Sequence, residues 1–150
     1  MSPDSTFPAA AIDEWLSRLQ TNGYRLTAPR RAVVEIVARS QRVLSPAQVF
    51  KLARKRYSAL GLVTVYRTLE KLEELGLIQR VHQAGGCHTF IAAAPGHQHL
   101  LICQACGLAE YFGGDNLDSL MNYIGKNSGY RIKEHWLQLI GLCADCKKND

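Results

Sequence analysis

The chain has 150 residues, 47% hydrophobic and 21% charged, which suits a folded globular protein of one ordinary domain or two small ones and excludes a disordered chain. Its apolar runs are short, as in Leu100-Leu101-Ile102, so no segment can span a bilayer and no membrane partner is expected. Residues 1–11 lack a basic stretch followed by an apolar one, so no signal peptide and a cytoplasmic address are expected. The net charge of +5 is unevenly spread: residues 1–81 carry 13 Lys/Arg against 7 Asp/Glu, and residues 82–150 carry 5 against 6. A positive field confined to one half suits a polyanion such as DNA, or is simply a solvated basic surface. All five Cys lie between Cys87 and Cys146 and all five His between His82 and His135. A basic half is therefore followed by a half rich in metal-ligand types.

Residues 12–20 place Ile12, Trp15, Leu16 and Leu19 on one helical stripe, and Gly23 is a suitable stop. Thr27 is a candidate cap for a second helix, with Pro29 tolerated in its first turn and Val33, Ile36 and Val37 as its buried face. Ser45-Pro46-Ala47-Gln48 reads as a capping box opening a third helix, with Val49, Leu52 and Ala53 as apolar positions. A fourth helix is predicted from about Val63 to Leu75, with Val65, Leu69 and Leu72 inward and Gly76 closing it. The period-two stretch Leu77–His82, the turn Ala84-Gly85-Gly86 and the stretch Cys87–Ile91 predict a hairpin. Together these elements read as a winged helix over residues 1–91.

The small residues Ala92–Gly96 look like a hinge, taken as 92–97. Residues 98–150 then predict a small α/β domain. It has strands at Leu100–Cys103 and Ala109–Phe112, a helix from about Asn116 to Lys126 with Leu117, Leu120, Met121 and Ile124 on one stripe, and a long strand Tyr130–Leu142. The fold class is α+β.

The strongest chemical signal is a pair of Cys-x-x-Cys motifs, Cys103-Gln104-Ala105-Cys106 and Cys143-Ala144-Asp145-Cys146. Two-residue spacing lets both sulfurs of a pair reach one ion, and four thiolates make a closed, tetrahedral structural zinc site. Gly107 follows the first pair, where the backbone must turn sharply. Disulfides are disfavoured in a cytoplasmic chain, and a redox motif needs only one pair.

Four stretches in order resemble the ferric/zinc uptake regulator family. They are Gly23-Tyr24-Arg25-Leu26-Thr27-Ala28-Pro29-Arg30, Thr64-Val65-Tyr66-Arg67-Thr68-Leu69, the His-rich run Gly96 to Gly107, and the closing Cys143-x-x-Cys146. The resemblance covers residues from about 23 to 146 and is strongest to the family's zinc-responsive members. It implies an N-terminal winged-helix DNA-binding domain and a C-terminal α/β dimerisation domain. It further implies a homodimer that binds palindromic double-stranded DNA when metal-loaded and represses metal-uptake genes.

On the fourth helix Thr64, Arg67, Thr68 and Lys71 are expected to face the major groove, with Tyr66 at the boundary of the two faces. By resemblance Tyr66 contacts a thymine methyl or a sugar. Arg30 and Arg31 suit phosphates, and Arg25, in the preceding turn, suits a minor groove. Arg39, Arg42, Arg54 and Lys55 read instead as solvated charges. A sensor needs ligands at a joint, so that an ion can fix the angle between two domains. His82 and Cys87 flank the wing turn, His97 and His99 lie just past the hinge, and all four are borderline-soft donors suited to zinc. His88, next to Cys87, is expected to point to the opposite face and not to ligate. His135, with Glu110, Asp118 or His97, is a candidate for a secondary metal site that the resemblance implies, or else a plain His beside Trp136.

The stretch Ser40–Ser45 lacks the His that the family's iron sensors usually take there, which favours zinc over an iron- or peroxide-responsive reading. Motifs of zinc hydrolases, deaminases and serine hydrolases are missing, so no enzyme is expected. A zinc-ribbon protein-interaction module would explain the Cys pairs but leave the basic helical half without a use.

Overall fold

The computed structural model describes residues 9–83, 85–113 and 116–149; Ala84, the first residue of the expected turn, lies outside these. The chain divides into two units, Met1–Ala93 and Ala94–Asp150, with the division inside the expected hinge. The first unit holds α1 (Ala9–Thr21), α2 (Ala28–Arg39), α3 (Pro46–Arg54), α4 (Leu62–Glu74), β1 (Ile78–His82) and β2 (His88–Ala92). The second holds β3 (His99–Cys103), β4 (Ala109–Phe112), α5 (Asp118–Ser128), β5 (Gln138–Gly141) and the short α6 (Ala144–Lys147).

The first unit is a winged helix around one apolar core. Trp15 and Leu19 of α1, Val33 and Val37 of α2, Val49 of α3 and Val65, Leu69 and Leu72 of α4 are all buried. Burying a side chain of this size stabilises by about 1.5–3 kcal/mol. The capping box of α3 is formed: the Gln48 amide donates to Ser45 Oγ at 3.2 Å, and the Ser45 amide to Gln48 Oε1 at 2.8 Å. Thr27 precedes α2 but its side chain makes no capping bond. Leu52, one of the apolar positions of α3, is exposed. Gly76, at φ 68°, ends α4, and the Leu77 amide returns to the Leu72 carbonyl at 2.9 Å. That tight reversal starts β1, which pairs antiparallel with β2 from Ile78↔Ala92 to His82↔His88. Leu44, between α2 and α3, adds a one-residue bridge to Phe90. The wing is thus anchored to the helices through its second strand.

In the second unit the sheet order is β4-β3-β5, with β3 and β4 antiparallel and β3 and β5 parallel. The expected long strand from Tyr130 is cut to Gln138–Gly141. A ladder needs a partner, and β3 is five residues long, so pairing spans only Leu100↔Gln138 to Cys103↔Gly141. The expected stripe on α5 is only partly sheltered: none of its residues is fully buried, and Leu120, Tyr123 and Ile124 are exposed.

Candidate metal centres and nucleic-acid interface

The parallel pairing of β3 and β5 decides where the cysteines go. Both strands run the same way and end side by side, so Cys103 at the end of β3 and Cys143, two residues past β5, emerge at one edge. The first pair is turned by Gly107 (φ 75°), whose amide donates to the Cys103 carbonyl at 2.9 Å. The second caps α6. The four sulfurs of Cys103, Cys106, Cys143 and Cys146 converge within 4.8 Å of one another, and all are free thiols. Cys106 Sγ lies 3.8 Å from Cys143 Sγ. Two thiolates on a tetrahedral ion with bonds of about 2.3 Å stand about 3.8 Å apart, so the donor set fits zinc.

The electrostatics of the four thiols are uneven. The Cys143 amide donates to Cys103 Sγ at 3.3 Å. That bond, with others from the Cys106 and Ala105 amides, brings the Cys103 thiol down to about 6. Cys146, hydrogen-bonded among the Cys143, Cys103 and Cys106 sulfurs, is pushed up to about 12. The pocket of amides therefore favours negative charge on Cys103 first.

A second cluster lies elsewhere in the same unit. His97, His99 and His135 offer ring nitrogens within 4.8 Å of one another. His97 Nε2 and His135 Nε2 are 3.1 Å apart, and the three ring centroids are separated by 4.7, 4.6 and 5.1 Å. The Leu100 amide donates to the Leu137 carbonyl at 3.1 Å, which draws the 130–137 segment along the start of β3 and brings His135 beside His99. The cluster draws its members from both metal sets expected from the sequence. His97 and His99 gather with His135, from the expected secondary set, while His82 and Cys87 belong to the first unit. Glu110 and Asp118 do not enter the cluster. Glu110 pairs with Leu101, two residues along β3 from His99, and so stands diagonally across the ladder from His99, about 7–8 Å away. Asp118 lies in the first turn of α5, exposed, where a carboxylate complements the helix dipole.

On the first unit, α4 presents Tyr66, 48% exposed, and Arg67 to solvent, with Thr64 half-buried. Thr68 departs from expectation: it is fully buried. Its hydroxyl donates to the Thr64 carbonyl at 2.7 Å and stands 3.3 Å from the Tyr24 hydroxyl, so it holds α4 to the preceding turn and has no face to offer a groove. Lys71 pairs with Glu74 at 3.0 Å. Arg30 is partly committed: its Nη1 donates to the Arg25 carbonyl, and its guanidinium lies 4.4 Å over the Tyr24 ring. Arg25 and Arg31 are exposed. Sequence reasoning missed Leu62 and Val63, both exposed in the first turn of α4. The available signal was two apolar residues ahead of the inward stripe. It also missed Arg80, which donates to both Glu73 oxygens at 3.0 and 2.8 Å and lies 5.3 Å over Phe90. Arg80 ties the end of α4 to the wing.

Fold and sites define a class: a winged-helix protein with metal-ligand clusters built into a separate α/β unit. The profile of the ferric uptake regulator family matches residues 21–140. The ferric uptake regulation protein of Cupriavidus metallidurans is 33% identical over 131 residues, 85% of this chain and 92% of its own. The ferric uptake regulator of Vibrio cholerae, 26% identical, superposes with a TM-score of 0.65 over 85% of this chain and 98% of its own. A zinc uptake regulator complexed with zinc and DNA, 21% identical, has the same fold, with a TM-score of 0.69 over 93% of this chain and 95% of its own. The chain belongs to the ferric uptake regulator family and is a metal-responsive transcriptional regulator, not an enzyme.

Proposed function

We propose that this regulator responds to zinc and, as a zinc-loaded homodimer, binds palindromic operators to repress metal-uptake genes. One observation carries the reading: every donor in the two assembled clusters is a thiol or an imidazole, with no carboxylate. Such a set suits zinc better than the harder, oxygen-preferring ions. The Cys103–Cys106–Cys143–Cys146 site is the structural one, closed by four protein ligands. The exchangeable ion is assigned to the His97–His99–His135 cluster. The relatives named for iron make an iron-responsive protein the competing reading.

Metal acts here by population shift. It must bind the DNA-competent state more tightly, and a coupling of about 1–3 kcal/mol changes operator affinity about 5- to 150-fold. On the DNA side Tyr66 and Arg67 read base edges, Leu62 and Val63 offer apolar contact for thymine methyls, and Arg25, Arg30 and Arg31 take phosphates. The second copy covers α5 and the free edge of β5, where Tyr123 and Ile140 are 67% and 51% exposed.

The test is a gel shift on palindromic DNA with protein of known metal content. Two zinc ions per protomer, one easily removed, and a shift lost on chelation and restored by zinc are expected. Arg67→Ala is expected to weaken specific binding by about 1–3 kcal/mol. Restoration by ferrous iron but not zinc would overturn the zinc assignment. A shift indifferent to chelation would overturn metal dependence.

A further inference from the structure

We propose that Tyr24 is a positioning residue for DNA recognition, one side chain that registers the reading helix α4 and the cation Arg30 against each other. This rests on the reading that α4 and Arg30 meet DNA.

The chain reaches Tyr24 in a fixed direction. α1 is followed by a left-handed glycine, Gly23, at φ 78°. The Gly23 amide donates to the Gln20 carbonyl at 2.9 Å, and the Tyr24 amide to the Leu19 carbonyl at 3.0 Å. That pair of bonds is a Schellman closure, which sets the residue after the glycine back against the last turns of the helix. Tyr24 is accordingly half-buried and packs on the apolar core of the first unit.

Its polar end is anchored on α4. The Tyr24 hydroxyl stands 3.3 Å from Thr68 Oγ1. Thr68 has one hydroxyl proton and gives it to the Thr64 carbonyl at 2.7 Å, so the tyrosine hydroxyl is the donor. Thr68 is fully buried, which makes it a fixed acceptor. The ring of Tyr24 in turn carries Arg30, whose guanidinium carbon lies 4.4 Å from the ring centroid, within cation–π range. Arg30 Nη1 also donates to the Arg25 carbonyl at 2.6 Å, so the stacked arginine braces the turn that holds Arg25. Burial alone accounts for the apolar body of Tyr24. It does not account for a hydroxyl anchored on α4 and a cation laid over the ring.

The chain of contacts Thr68–Tyr24–Arg30–Arg25 has a use in binding. An arginine that takes a phosphate gives up rotamer freedom, and Arg30 has given up part of it before DNA arrives. Preorganisation of this kind raises affinity without adding a contact. Tyr24 itself need touch no nucleotide.

The experiment measures gel-shift affinity of the zinc-loaded full chain for a palindromic duplex in the parent, Tyr24→Leu, Arg30→Ala and the double variant. Tyr24→Leu is expected to weaken binding about two- to fivefold, the worth of an exposed cation–π contact. Arg30→Ala is expected to lower the salt dependence of binding by about one unit of slope per protomer, as loss of a phosphate contact does. In the Arg30→Ala background Tyr24→Leu should add no further loss, because the group it positions is gone. Tyr24→Phe keeps the ring and should bind more tightly than Tyr24→Leu. In the free protein the Arg30 side-chain protons should resonate upfield under the ring current of Tyr24, a shift kept in Tyr24→Phe and lost in Tyr24→Leu. An equal loss from Tyr24→Leu in both backgrounds would overturn the proposal, making Tyr24 a core residue only, and leave the phosphate role of Arg30 standing. Parent affinity and slope in Arg30→Ala would overturn that phosphate role and the proposal with it. Should Tyr24→Leu fail to fold, the ring-current shift decides: its absence in the parent would overturn the stack.

Discussion

α4 and α5 are helices of 13 and 11 residues, each with an apolar stripe, yet they end in opposite conditions. α4 sets Val65, Leu69 and Leu72 against α2, α3 and the start of the wing, all buried. α5 buries none of its residues completely and leaves Leu120, Tyr123 and Ile124 open. The difference lies in what each unit offers its helices. Three other helices and a hairpin surround α4, and together they close one core. The second unit has one three-stranded sheet and too few residues to cover both its faces. A small unit of that kind is one that the proposed metal ligation and partner surface would stabilise, as they do small scaffolds generally.

The largest expected effect separates the two sources of stability. Removing the structural metal by Cys143→Ser should unfold the second unit, because metal binding in such sites contributes on the order of 10 kcal/mol to folding. The amide signals of β3–β5 should collapse in a heteronuclear NMR spectrum while those of α1–α4 persist. Persistence of both sets would mean that the sheet holds without its ion. Leu69→Ala should do the reverse. A cavity at that fully buried position costs about 2–5 kcal/mol, read as a lower unfolding temperature of the first unit with the structural zinc still bound. Ile140→Asp should have the smallest effect on folding and act on assembly instead. A charge at a covered apolar position is expected to cost about 2 kcal/mol of dimer affinity, roughly thirtyfold. Sedimentation that shows an unchanged dimer would place the interface elsewhere.

Much of the first unit was legible because its signals are local. The stripe Ile12, Trp15, Leu16, Leu19, the capping box at Ser45 and Gln48, and the turn at Gly76 each act within a few residues, and each appears where periodicity and cap chemistry place it. The four cysteines were legible for a similar reason, since two-residue spacing is itself a chelating geometry. Thr68 was misread because a helical wheel records direction, not cover. It lies three residues from Val65, and Tyr24, from outside the helix, closes over it. The shortening of the last strand and the exposure of α5 likewise depend on partners that no local window contains.

Residue types and short spacings thus determined the helices of the first unit, the hairpin and the four-thiol donor set, since these are decided by interactions within a turn or a knuckle. Tertiary structure alone decided that the parallel β3–β5 pairing brings Cys103 and Cys143 to one edge. It also decided that His135 joins His97 and His99, and that His88 stands opposite His82. Those neighbours are made by strand direction and register, and register is a property of two segments meeting, which neither segment carries by itself.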